Sequence, residues 1–67
     1  EGGSMPTVFN ASNELAVKKF LRQEIGFLDI YEIIGQSMER HKKIENPDLD
    51  EILAAENETY QWIESRW

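Results

Sequence analysis

Two segments of this sequence share one pattern. Asp29 is followed three residues later by Glu32, and Asp48 by Glu51, and each pair opens a run with apolar residues three and four apart. A capping acid that takes the N–H three residues on, with a glutamate reaching back, marks a helix start. Leu28 before the first cap and Ile33 in the following turn add a hydrophobic staple. The run after Asp29 places Ile30, Ile33, Ile34, Ser37, Met38 and His41 on one stripe, and Lys42 and Lys43 suit its negative end. Asn46-Pro47 breaks the chain. The run after Asp48 places Leu49, Ile52, Leu53, Glu56, Tyr60, Ile63 and Trp67 on one face and predicts a helix to the last residue.

An earlier helix is predicted from Met5 or Pro6 to Gln23. Ser4 is its candidate cap, Pro6 sits in its first turn, and Gly26 is the expected stop. Residues 1–4, with Gly2-Gly3-Ser4, read as a linker, and 5–67 as one helical domain. No segment alternates as a strand does. Short loops between the helices predict an all-α fold, a small three-helix bundle.

At 67 residues without cysteine, neither a disulfide nor a thiolate zinc site can staple the core. Isolated helices this short do not persist in water, so stability must come from packing their apolar faces. The balance of 13 acidic against 7 basic residues gives a net charge of −6. That argues against nucleic acid and against an anionic membrane surface, both of which need a basic face. No apolar run approaches the roughly 20 residues of a membrane span, and the N-terminus does not read as a signal peptide.

Chemistry-bearing patterns are sparse. His41 is the sole histidine and lies on an apolar stripe, which suits packing or a helix end. Gly2 and Gly3 do not follow a strand, and Ser12, Ser37 and Ser65 lack a nucleophile elbow. The sequence therefore offers no catalytic, cofactor-binding or metal-ligating residue. Three polar residues stand out instead. Asn13, with Asn10 at the edge, falls on the helix-one face of Phe9, Ala16, Val17, Phe20 and Leu21, and Glu56 falls inside the third apolar stripe. Buried amides and carboxylates need partners, so at least one asparagine is expected to lock a helix contact or bond backbone at a helix end, with ligand contact as the alternative, and Glu56 either finds a donor in His41 or the helix-one amides or lies where the stripe is wet. Val8, Ala11 and Leu15 lie on the opposite side of helix one. A helix apolar on two sides is normally covered on both, which implies a partner beyond three helices.

Helix one also carries a resemblance. Gly2-Gly3-Ser4-Met5-Pro6-Thr7-Val8-Phe9-Asn10-Ala11-Ser12-Asn13-Glu14-Leu15-Ala16-Val17 resembles the opening of the C-terminal region of 1-deoxy-D-xylulose 5-phosphate reductoisomerases. That pattern is Gly-Gly, a small residue, then Pro-Ala-Val-Leu-Asn-Ala-Ala-Asn-Glu and an apolar-Ala-Val run. Phe9 replaces the usual Leu, and Ser12 the second Ala. Phe20-Leu21 and Ile25-Gly26-Phe27-Leu28-Asp29-Ile30 look like the next segment, and Leu53-Ala54-Ala55-Glu56 is similar to Leu-Ala-Ala-Asp.

The resemblance implies part of that family's C-terminal helical bundle, last in a chain with an NADPH-binding Rossmann domain and a central catalytic domain upstream. The parent would be a homodimer. It would isomerise and reduce 1-deoxy-D-xylulose 5-phosphate to 2-C-methyl-D-erythritol 4-phosphate for non-mevalonate isoprenoid synthesis, using NADPH and Mg or Mn. It would be cytoplasmic, or plastid in a plant or alga. The family's metal, phosphate and dinucleotide residues lie in upstream segments, so none is assigned to this sequence. The alternative is a free-standing acidic helical protein-interaction module. The upstream reading frame separates the two: a glycine-rich strand-to-helix turn favours the first, and a start codon just before Met5 the second.

Overall fold

The computed structural model describes residues 3–67, which form three helices: α1 (Met5–Leu21), α2 (Phe27–Arg40) and α3 (Leu49–Arg66). The bundle is all-α, measures 36 × 17 × 16 Å and has α1 at its centre. Its helices run up, down, up. Ser4 meets His41 at one end of the α1–α2 hairpin, while Glu14–Tyr60 and Lys19–Glu64 pairs show α1 and α3 running in the same direction. α2 and α3 both pack on α1 and touch each other much less. No helix among the described residues is long and apolar enough to cross a membrane.

α1 packs on its neighbours mainly through its Val8, Ala11 and Leu15 side, and of the Phe9 stripe Ala16 and Phe20 also turn inward. Val8, Ala11, Ser12, Leu15, Ala16 and Lys19 are buried, while Phe9, Asn10, Asn13, Val17 and Leu21 are exposed. The buried side is the one rich in small residues, which allows two helices to approach α1 at once. The core consists of Leu15, Ala16, Ile30, Ile33 and Ile63, with Phe20, Ile25, Ile34, Tyr60, Trp62 and Trp67 packed around it.

The stop of α1 is earlier than Gln23 and does not use Gly26. Glu24 N–H donates to Lys19 O and Gln23 N–H to Phe20 O, with Gln23 in the left-handed region at φ 64°. This is a Schellman ending, with glutamine in the place glycine usually takes. Gly26 instead caps α2. Its N–H donates to Asp29 Oδ2 at 2.9 Å, and its carbonyl accepts from Asp29 N–H. Asp29 is thus the reach-back acid in the third helical position rather than the cap, and Leu28 is exposed rather than a staple. The reason lies in Phe27, which stacks edge-on with Phe20 and Tyr31, each at 5.7 Å, and so draws the helix start three residues earlier.

The α2 stripe follows its expected phase, with Ile30, Ile33 and Ser37 buried. The helix ends at Arg40, however. His41 is extended, so Lys42 and Lys43 lie beyond the helix rather than in its last turn. α3 begins as predicted: Glu51 N–H donates to Asp48 Oδ1 at 2.8 Å, and Asp48 N–H to Glu51 Oε1 at 3.0 Å. Its buried seam is Ala55, Thr59 and Ile63, with Leu49 and Leu53 exposed, so the helix is rotated from the expected face. Small residues again decide the contact, and Thr59 satisfies its hydroxyl on Ala55 O at 2.8 Å.

Candidate functional site

Gly3 and Ser4, at the mouth of α1, are held against the segment that follows α2. Ser4 is wholly buried; its N–H donates to Ile44 O at 3.0 Å, and its Oγ accepts from Ile44 N–H at 2.8 Å. The same oxygen lies 2.7 Å from His41 Nε2. Ser4 occupies the cap position of α1, but its hydroxyl is used here rather than on the helix. Gly3 sits at φ 53°, and a Cβ there would collide with Ile44 O. A serine and a histidine this close suggest a nucleophile and its base. The geometry does not support that, because Ser4 is fully enclosed and its oxygen already takes a backbone N–H. The pair is a clasp.

Two further polar clusters tie α1 to α3. The Lys19 ammonium is buried and lies 3.0 Å from Glu64 and 3.4 Å from Glu24, whose carboxylates reach solvent. The Glu64 hydrogen bond is the main influence holding its pKa above the ordinary lysine value, against the cost of burial. Tyr60 Oη lies 3.1 Å from Glu14 Oε1 and 3.3 Å from Glu56 Oε2. Burial, and then the two carboxylates, push this phenol up to about 12. Glu56 is half-buried and takes its proton donor from Tyr60 one turn along its own helix, not from His41 or the α1 amides. Glu14, Leu15, Lys18, Tyr60 and Glu64 border a recess of about 310 Å³.

Asn10 and Asn13 do not join these clusters. Both are exposed, and neither amide hydrogen-bonds to another described residue. They do not lock contacts within the bundle, because α1 packs mainly through its Val8, Ala11 and Leu15 side. Ser4 and Lys19, which do lock it, are poorly signalled in the sequence: a serine reads as an ordinary cap, and a lysine does not mark a buried face. Glu64, 45 residues from Lys19 in sequence, supplies no local pattern.

Among the described residues, no three or more His, Asp or Glu side chains converge as a metal site would require. The arrangement is one of clasps and braces between helices, with no convergent acid, base and nucleophile.

Comparison with known proteins gives this scaffold its context. The family described as DXP reductoisomerase C-terminal domain matches residues 1–62. This chain belongs to that family. The reductoisomerase C-terminal domain is 57% identical to a 1-deoxy-D-xylulose 5-phosphate reductoisomerase of Lachnoclostridium phytofermentans over 63 residues, 94% of this chain and 16% of the relative. Proteins of the same name from Agathobacter rectalis and Halalkalibacterium halodurans are 50% and 45% identical, over 98% and 97% of the chain and 17% of each relative. The chain thus spans 16–17% of the length of these relatives. No solved structure matches it significantly.

Proposed function

We propose that this chain is the C-terminal structural domain of an NADPH-dependent 1-deoxy-D-xylulose 5-phosphate reductoisomerase, supporting the catalytic part and inactive alone. The observation that carries this reading is the family match over residues 1–62, combined with coverage of only 16–17% of relatives that bear the enzyme's name. The free-standing module is the weaker reading, because the match includes the residues ahead of Met5.

The described residues do not fit NADPH or a divalent metal. They contain no strand from which a dinucleotide turn could rise and no cluster of three ligating groups. No step of the reaction is therefore derived on this chain, and hydride transfer with Mg or Mn belongs to the upstream domains. The reading also carries a homodimeric parent, a role in non-mevalonate isoprenoid synthesis and a cytoplasmic or plastid setting.

The coding region upstream of Glu1 tests the reading. A long open frame encoding a glycine-rich strand-to-helix turn is expected. A start codon immediately before Met5 would favour the free-standing module instead.

A further inference from the structure

α1 has a second apolar face that the bundle leaves uncovered. Phe9, Asn13, Val17 and Leu21 follow one another at four-residue spacing and form a line along the helix. Phe9 is 45% exposed, Val17 36% and Leu21 73%. The line passes into Phe20, whose ring meets Phe27, and then into Tyr31; Phe27 and Tyr31 are 56% and 62% exposed. A continuous strip with this much open aromatic and aliphatic surface marks a contact site. Leu49 and Leu53 on α3 are also exposed.

We infer that this α1–α2 strip is the docking surface for the upstream part of the same polypeptide, with Phe9 and Val17 at its centre and Asn13 between them supplying polar register. The inference rests on the proposed reading as a C-terminal domain. More than four-fifths of the length of the relatives lies outside the matched segment, so a large body of chain is available to cover the strip. Gly3 and Ser4 are fixed against Ile44, which delivers the preceding chain at the N-terminal end of α1, about one turn from Phe9. A segment tethered there docks at a high effective concentration, an advantage that a separate partner or a second copy lacks. The Asn13 amide, flanked by Phe9 and Val17 one turn to either side, has its donors and acceptor free to meet backbone groups of the docked segment. Covering the strip without pairing that amide would be unfavourable, so the amide selects a partner with matching polar groups.

The test uses the whole polypeptide and exploits the absence of cysteine from this domain. Phe9→Cys, Val17→Cys and, as a control on the outer side of α3, Gln61→Cys are introduced singly. Labelling by a small maleimide is read at each site by peptide mass spectrometry, natively and in denaturant. Relative to the denatured rate, Phe9→Cys and Val17→Cys are expected to be slowed about tenfold or more, and Gln61→Cys hardly at all. Equal labelling at the three sites overturns the inference. So does protection of the strip that disappears on dilution, since the occupant would then be a second copy. NADPH turnover on the same samples reports separately on the functional reading. An active enzyme with an open Val17→Cys refutes the docking surface alone, and absence of turnover in the unsubstituted polypeptide refutes the reading itself.

Discussion

Ser4 Oγ lies 2.7 Å from His41 Nε2, though the two residues are 37 apart in sequence, and the same oxygen accepts the Ile44 N–H at 2.8 Å. One buried hydroxyl thus joins the start of α1 to the end of α2. Ser4→Ala should cost about 1–3 kcal/mol, because it leaves a buried N–H without its acceptor. Gly3→Ala should be at least as damaging, since a Cβ at φ 53° would be strained and would also meet Ile44 O. Thermal unfolding followed by circular dichroism measures both, and unchanged melting in both variants would mean that the clasp contributes nothing.

The helix starts give a second prediction. Asp48→Ala removes a reciprocal cap and Asp29→Ala a reach-back bond to Gly26 N–H. Each should cost about 0.5–2 kcal/mol. Asp48→Ala should cost more, because it replaces the N-cap residue itself, whereas Asp29→Ala leaves the Gly26 cap in place. Denaturant midpoints of the two variants test that order, and Asp29→Ala proving the costlier would contradict it.

Much of this architecture is legible in the sequence, but unevenly. Asp48 and Glu51 are a local device that acts over three residues, so their pattern reports the start of α3 directly. The Ile30, Ile33 and Ser37 stripe of α2 is equally plain, because only one side of that helix is apolar. α1 is different. It is apolar on two sides, and hydrophobicity alone favours the larger Phe9 and Phe20 face over Val8, Ala11 and Leu15. What decides between them is close approach of two helices, a property of the assembled bundle. The same limit hides Lys19, whose nearer partner Glu64, 45 residues on, is brought to it only by folding. Asn10 and Asn13 lie on the outside, because the Phe9 stripe on which the sequence places Asn13, with Asn10 at its edge, is largely exposed.

Lys19 and Tyr60 predict an alkaline weakness. Both pKa values are raised, so the folded chain holds these protons more tightly than the unfolded chain does. Their stabilisation is therefore fully present below the ordinary values of 10.5 and 10.0, and is lost as pH rises past them, toward about 12 for Tyr60. Unfolding free energy should fall above that point, less steeply in Tyr60→Phe and Lys19→Met. At neutral pH, Lys19→Met should cost only about 1 kcal/mol or less, because the carboxylates it abandons are solvent-exposed. Glu24→Gln combined with Glu64→Gln should cost more, since it leaves the buried ammonium without a counter-charge. Urea titrations across this pH range decide the matter, and an unchanged slope in Tyr60→Phe would contradict the phenol's part in it.

On the proposed reading, these residues should serve a reductoisomerase without performing its chemistry. NADPH oxidation with 1-deoxy-D-xylulose 5-phosphate and magnesium tests it most directly, on three samples: the whole polypeptide, the same polypeptide ended before Glu1, and residues 1–67 alone. The whole polypeptide should turn over, the shortened one should lose most of its activity, and residues 1–67 should show none. Measurable NADPH oxidation by residues 1–67, or full activity in the shortened polypeptide, would contradict the account.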